Sequence, residues 1–258
     1  MKKQLRPNMD WVAEFYQAQN DWFGVYLLPI DEQHEERAVV VAELLGETPH
    51  SILELGAGGG QTAVVLAKEG HEVTMIELLE ASTKYATTLA KEHQAPLTVL
   101  QGDFYTLELT QTFDSVLYFD SFGIGSDADQ QRLLQRVATW LKPTGKALIE
   151  VGTPWYWNEI AKGRKVDLGA CFRAYDFEVD TSRLIDRWWR KEAPEEVVQQ
   201  SLRCYSPADL ELLLQGTGLT VVEIQAGNCI AYEPTRWRSR VTLPEAMTYY
   251  AVLQKENT

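Results

Sequence analysis

Residues Ile52-Leu53-Glu54-Leu55-Gly56-Ala57-Gly58-Gly59-Gly60-Gln61 join a short apolar run to four glycines out of five, and the helical pattern QTAVVLAKEG follows. A strand that ends directly in a glycine loop and then enters a helix lets the backbone approach a ligand closely. It also leaves the first N–H groups of the helix free to donate. The plainer alternative is a tight strand-to-helix turn with no ligand. A dinucleotide fingerprint requires G-x-G-x-x-G, whereas Gly56-x-Gly58-x-x runs into Gln61. The third glycine, which permits close helix–sheet packing, is missing, and this disfavours a nicotinamide cofactor.

Outward from the loop, β-rich runs alternate with helical ones: SILEL, EVTMIE, LEASTKYATTLAKEH, PLTVLQGD, FDSVLYFD, DADQQRLLQRVATWL and KALIEVG. Such alternation predicts βαβ units, with a parallel sheet covered by helices on both faces. Gly70 reads as a helix stop, Ser126 with Asp129 as an N-cap signal, and Lys142-Pro143-Thr144-Gly145 as a turn before the next strand. Two helices, about Met9 to Asn20 and Glu32 to Leu45, precede this core. Residues 153–205 break the rhythm with ACFRAYDFEV, SRLIDRWWR and EEVVQQSLRCY, read as an antiparallel insertion over one edge of the sheet. The rhythm then resumes with a helix opened by Ser206-Pro207, and LTVVEIQA and MTYYAVLQK complete seven strands, the last two pairing antiparallel at the edge. One α/β domain over 1–258 is expected, divided into cap helices (1–49), a ligand-binding core (50–152), a β insertion or lid (153–205) and completion of the sheet (206–258).

The 37 acidic residues outnumber the 24 basic ones, for a net charge of -13. With no long Lys/Arg run, nucleic acid and anionic membranes are poor partners. The Lys2-Lys3 opening does not lead into an export signal, and the longest aliphatic run, Ala38 to Ala42, is too short to span a bilayer. Cys171, Cys204 and Cys229 lie far apart with no C-x-x-C pair, which suggests core thiols in a reducing cytoplasm; no histidine–carboxylate spacing suggests a metal. No motif bears on oligomeric state.

The E-x-G-x-G of Glu54, Gly56 and Gly58 resembles the first motif of class I S-adenosylmethionine-dependent methyltransferases, and the resemblance runs over about residues 50–255. It implies a Rossmann-like fold, S-adenosyl-L-methionine as cofactor and methyl transfer by in-line displacement. Glu77, 19 residues after Gly58, stands where the family places an acid on the ribose hydroxyls, with Leu78 beside it. Gly102-Asp103-Phe104 corresponds to an Asp accepting from the adenine amino group and an apolar side chain packing on the ring. Phe119-Asp120-Ser121-Phe122 ends the fourth strand, facing the sulfonium and the acceptor. LKPTG resembles the family's LKPGG turn, with Thr144 in place of a glycine.

The resemblance therefore assigns Tyr16, Glu54, Gly56, Ala57, Gly58, Glu77, Leu78, Asp103, Phe104 and Phe119 to the cofactor, Asp120 to the catalytic, acceptor side, and Trp155 and Tyr156 to the substrate pocket. Several of these residues have a second reading. Glu54 is either an anchor for the methionine end of the cofactor or a structural acid capping the glycine-loop amides. Asp103 is an adenine contact or a turn residue, and Asp120 holds a loop, touches the acceptor or assists deprotonation. Most of the N-terminal aromatics are packing residues, with Tyr16 singled out over the cofactor, where a ring attracts a sulfonium. His34 is the one histidine within reach of such a site.

The cap helices, the insertion and the absence of an Asn/Asp-Pro-Pro-Tyr motif after the fourth strand favour a small-molecule acceptor with an N or O nucleophile. Two other classes predict different behaviour: a NAD(P)-dependent oxidoreductase, and a non-catalytic protein that binds S-adenosylmethionine without turnover. The ribose role predicts that Glu77→Ala weakens cofactor binding with little loss of fold stability.

Overall fold

The computed structural model describes residues 9–48, 50–232 and 235–256; Lys2, Lys3 and the other parts of the expected segments at positions 1–8, 49, 233–234 and 257–258 lie outside the described residues. Two helices come first, α1 (Trp11–Phe23) and α2 (Glu32–Leu45). The core then runs β1 (Ser51–Leu55), α3 (Gln61–Lys68), β2 (Glu72–Glu77), α4 (Glu80–Glu92), β3 (Leu97–Gln101), β4 (Phe113–Tyr118), α5 (Asp127–Trp140) and β5 (Leu141–Gly152). A short turn, α6 (Pro154–Tyr156), leads into the meander β6 (Lys165–Asp167), β7 (Cys171–Glu178), β8 (Arg183–Arg190) and β9 (Ala193–Arg203). Next come α7 (Pro207–Leu214), β10 (Leu219–Ala226), β11 (Cys229–Tyr232), β12 (Thr235–Arg238) and β13 (Thr248–Lys255).

Seven strands form one sheet in the order β10-β13-β5-β4-β1-β2-β3. β13 runs antiparallel to both its neighbours, and the pairs among β1 to β5 are parallel. All five residues of β1 are buried, as a central parallel strand covered on both faces requires. One apolar layer, with Leu53, Leu55, Val116 and Leu133, packs beneath α5 and α7. The other, with Ile52, Val64, Met75 and Leu148, packs beneath α2, α3 and α4. The expected caps form: Ser126 with Asp129 opens α5 and Ser206 with Asp209 opens α7, each a reciprocal capping box, and Pro207 occupies the first helical position.

Three details differ from the sequence reading. Lys142-Pro143-Thr144-Gly145 is not a turn before β5 but an excursion within it. Leu141 already pairs with Phe113, and pairing resumes at Lys146 opposite Ser115. The Lys142 ammonium, 2.7 Å from Asp114 Oδ2, anchors this bulge. The insertion hangs not on an edge strand but on the loop after the central strand β4. The Arg203 N–H donates to the Gly123 carbonyl at 2.9 Å, and Ile124 bridges to Leu202. The meander thus stands over the carboxyl end of the sheet, where α1 packs against it through Phe15, Cys171 and Trp188. Finally, a hairpin, β11–β12, lies between β10 and β13 where only a loop was expected.

Candidate active site

The carboxyl ends of β1, β2, β3 and β4, roofed by α1 and the segment after it, enclose a cavity of about 360 Å³, within the size range of small-ligand sites. Tyr16, Glu54, Gly56, Ala57, Gly58, Glu77, Leu78, Asp103, Phe104, Phe119 and Asp120 all line it. All of them except Tyr16 lie within three residues of a strand's carboxyl end.

The two acids at the glycine loop divide their work differently from the sequence reading. Glu77, not Glu54, holds the loop: its carboxylate accepts from the Gly58 N–H and the Leu79 N–H, both at 2.9 Å. Burial raises its pKa, and those backbone donors pull it back. The Glu54 carboxyl forms no hydrogen bond among the described residues, and its Oε2 is buried without a partner. Desolvation pushes its pKa up to about 8, opposed by the Arg37 charge and reinforced by Glu77. A buried carboxyl with an orphan oxygen facing a cavity is set up for a cationic guest.

The loop itself leaves no room for larger residues. Gly58 has φ +55, and a Cβ there would lie 2.9 Å from the Tyr26 ring. At Gly59 a Cβ would fall 1.9 Å from the Tyr26 carbonyl oxygen. The Gln61 amide fixes this approach by donating to the Leu28 carbonyl at 2.7 Å and the Tyr26 carbonyl at 3.3 Å. Tyr26 and Gln61 were not assigned to the site in sequence, although Tyr26 belongs to the N-terminal aromatic crowd and Gln61 follows the glycines directly.

Across the cavity Asp103 Oδ1 accepts from the Tyr105 N–H at 2.8 Å, so the turn role is real, while its second oxygen makes no hydrogen bond among the described residues. Phe104 leans on Tyr118, with ring centroids 5.3 Å apart. Tyr16 hangs from the roof, its hydroxyl donating to Gln200 Oε1 (3.3 Å) and lying within hydrogen-bond distance of Ser121 Oγ (3.4 Å). Burial holds that phenol well above its ordinary pKa, which keeps it a donor. Asp120 adopts φ +64, uncommon for a residue with a side chain. Its N–H donates to Glu150 Oε2 at 3.2 Å, and among the described residues its carboxylate makes no hydrogen bond, so the loop-holding reading of that carboxylate is not what the structure displays.

Trp155 and Tyr156 do not line this cavity. The Trp155 indole donates to the Leu243 carbonyl at 3.1 Å and the Tyr156 hydroxyl to the Ile230 carbonyl at 2.8 Å, which turns both toward the 229–247 segment. His34 does line it, but its Nδ1 accepts the Asp31 N–H at 3.1 Å as part of the α2 cap, and burial lowers its pKa. His50 and His71 pair near the amino ends of β1 and β2, with ring centroids 4.6 Å apart, remote from the site.

Residues 52–145 match the family model of a methyltransferase domain. Over nearly the whole length, the fold is that of the CcbJ methyltransferase from Streptomyces caelestis: TM-score 0.74 at 22% identity, covering 98% of this chain and 100% of that one. Residues 52–145 carry a methyltransferase domain, and the chain as a whole has the fold of class I S-adenosylmethionine-dependent methyltransferases. Against the ubiquinone biosynthesis O-methyltransferase of Rickettsia akari this methyltransferase is 23% identical over 206 residues, 80% of this chain and 72% of the relative. Against the protein of the same name from Rickettsia conorii it is 29% identical over 122 residues, 47% of this chain, and spans only 39% of that relative's length.

The cavity of this methyltransferase fits the family's cofactor on its own observations. The orphan Glu54 oxygen suits an ammonium, and each Glu77 oxygen keeps a second lone pair for a hydroxyl. Because Glu77 also secures the loop, Glu77→Ala is expected to cost the fold about 1–3 kcal/mol by stranding two buried N–H groups, in addition to about 1.5–3 kcal/mol of cofactor affinity. This replaces the sequence-based expectation of an undisturbed fold. Urea unfolding without ligand and calorimetric titration with S-adenosylhomocysteine measure the two losses separately, and an unchanged unfolding midpoint would remove the loop-holding role.

Proposed function

We propose that the chain transfers a methyl group from S-adenosyl-L-methionine to a small-molecule acceptor bearing an N or O nucleophile. The observation that carries this reading is the meeting, in one cavity, of an unpartnered buried acid, a glycine loop under an aromatic roof and two further acids at successive strand ends. When bound, the cofactor supplies a methyl already activated on a sulfonium, so the protein's work is to hold and align.

In this reading Glu54 takes the ammonium of the methionine end, Gly56, Ala57 and Gly58 line its path, and Glu77 accepts from the ribose hydroxyls. Asp103 accepts from the adenine amino group through its free oxygen, with Leu78 and Phe104 against the ring. Tyr16 and Phe119 flank the reacting end. The Tyr16 hydroxyl is tied at both partners, which fixes its ring. Asp120, its backbone held by Glu150, is the acceptor-side residue. Trp155 and Tyr156 act on the substrate only indirectly, by shaping the segment that they anchor. We further propose that residues 1–49 and 153–205 serve as cover over the core (50–152) and the completing strands (206–258). Three unpaired buried cysteines support a cytoplasmic setting. The acidic balance argues against nucleic acid and anionic membranes as partners, and among the described residues no helix is long and apolar enough to cross a membrane.

Thermal unfolding with S-adenosylhomocysteine, and in parallel with NAD and NADP, tests the reading. A ligand at about 100 times its Kd adds about 2.7 kcal/mol, a rise of roughly 5–10 °C for a chain of this size. The rise is expected with S-adenosylhomocysteine alone. A rise with a nicotinamide cofactor alone would overturn the proposal, and tight binding without methylated product across amine, phenol and carboxylate panels would point to the non-catalytic alternative.

A further inference from the structure

Beside the cofactor cavity lies a second and larger one, about 680 Å³, between α2, the carboxyl end of β10, the β11–β12 hairpin and the insertion strand β7. The two cavities share three lining residues, Gln33, Arg37 and Asp120, so they adjoin where β4 ends. Its inner wall is aromatic, with Trp157, Tyr175 and Tyr250 all buried.

The charges of this chamber are unbalanced. Its three arginines are each matched by a carboxylate: Arg37 by Glu150 (3.5 Å), Arg240 by Glu43 (2.9 Å), and Arg173 by the fully buried Asp186 outside the chamber (2.8 Å). Four further lining carboxylates, on Glu32, Glu35, Glu36 and Asp120, take part in no salt bridge among the described residues. A solvated acidic helix face would account for the first three alone. It does not account for Asp120, which is set at the junction by an unusual backbone conformation. Nor does it account for Asn228 in the opposite wall, whose side-chain oxygen is buried with no hydrogen-bond partner. An orphan carbonyl oxygen requires an N–H or O–H donor, aromatic faces attract cations, and unpaired carboxylates do the same.

Resting on the methyltransferase reading, we infer that this chamber is the acceptor site and that its ligand is an organic cation: an amine that arrives as an ammonium on an apolar body. The α2 carboxylates draw it to the mouth, the aromatic wall and Asn228 hold it, and Asp120 directs the nitrogen to the junction. The exchange balances. The ammonium gives one proton to water, the freed nitrogen pair forms the N–C bond, and the pair of the broken S–C bond stays on sulfur.

The test uses the whole chain saturated with S-adenosylhomocysteine and four probes of one body, titrated calorimetrically at neutral pH. These are 2-phenylethylamine, trimethyl(2-phenylethyl)ammonium, 3-phenylpropan-1-ol and 3-phenylpropanoate. Both cations are expected to bind at least tenfold more tightly than the alcohol, with the carboxylate weakest. In a Glu32→Gln/Glu36→Gln variant, whose changes lie outside the cofactor cavity, cation affinity is expected to fall at least threefold while the affinities for the alcohol and S-adenosylhomocysteine stay unchanged. The inference is overturned if the alcohol or the carboxylate matches the cations, if none of the four binds the loaded protein, or if the variant leaves cation affinity unaltered. Failure of S-adenosylhomocysteine itself to bind would instead overturn the cofactor reading.

Discussion

Glu54→Gln is expected to make the ligand-free protein more stable at pH 9 while weakening its hold on the cofactor. In the wild type the Glu54 carboxyl has its pKa raised from the ordinary 4.5 to about 8, first by desolvation and then by Glu77, with Arg37 opposing. At about 1.4 kcal/mol per pKa unit, the ionised form is about 5 kcal/mol worse off in the fold than in the unfolded chain. The sign follows from proton counts. Between pH 4.5 and 8 the unfolded carboxyl is ionised and the folded one protonated, so stability contributed by this group is full below 4.5 and is lost as pH rises to 8. A glutamine carries no such dependence. The two proteins should therefore unfold alike near pH 4, and the variant should lead by up to about 5 kcal/mol at pH 9, measured by urea unfolding of both at each pH.

The cofactor reverses the preference. An ammonium beside the orphan Oε2 favours the ionised form, so cofactor binding below pH 8 expels a proton from Glu54, and affinity climbs with pH toward that value. In the variant the climb disappears, and affinity at pH 8 is expected to be lower by about 1.5–3 kcal/mol, the range for hydrogen bonds to charged groups. Titration calorimetry in two buffers of different ionisation heat counts the proton directly. A wild type that releases none, or a variant less stable than the wild type at pH 9, would remove Glu54 from its assigned place.

The parts of this site that were legible in sequence are those that sit at the ends of strands. An apolar run followed by glycines, or a lone acid closing such a run, fixes its own position in a parallel sheet, because every strand end lies at the same rim. Glu54, Gly58, Glu77, Asp103 and Asp120, which the family resemblance assigned, all line the cavity from such positions. What remained hidden depends on contacts between distant segments. Trp155 and Tyr156 follow β5 at the correct rim, yet which way their rings turn is decided by carbonyls at Leu243 and Ile230, some eighty residues on. The division of labour between Glu54 and Glu77 has the same origin. Both are acids at adjacent strand ends, and only the packed loop reveals that the Gly58 N–H points to the second. The excursion at Pro143 kept its turn chemistry but lost its independence, since Leu141 had already found Phe113 in the neighbouring strand.

Arg37 is the clearest case of a residue with no signal in sequence and a large role in the structure. It lies in the middle of an amphipathic helix, where an arginine ordinarily faces water. Here its guanidinium stands 3.5 Å from the buried Glu150 carboxylate, 113 positions away, and 5.2 Å above the Phe119 ring. Glu150 also accepts from the Asp120 N–H (3.2 Å) and from the Thr248 hydroxyl (3.0 Å), so one carboxylate joins α2, β5, β13 and the loop after β4. Burial raises its pKa, and the Arg37 charge is the main influence restraining that rise. Arg37→Met is therefore expected to destabilise the fold by about 3–5 kcal/mol, because it leaves a buried charge without its counter-ion. The deficit should be greatest in alkaline solution and shrink as acid neutralises Glu150, the direction that a raised carboxyl requires. Adding Glu150→Gln to Arg37→Met should restore much of the loss, since an amide oxygen can still accept from Asp120 without a charge to compensate. If the double variant is as unstable as the single one, the arginine stabilises through its stacking on Phe119 and not through the ion pair. If the single variant loses less than about 1 kcal/mol, Glu150 is already neutral at working pH, and Asp120 keeps its place at the junction through hydrogen bonding alone.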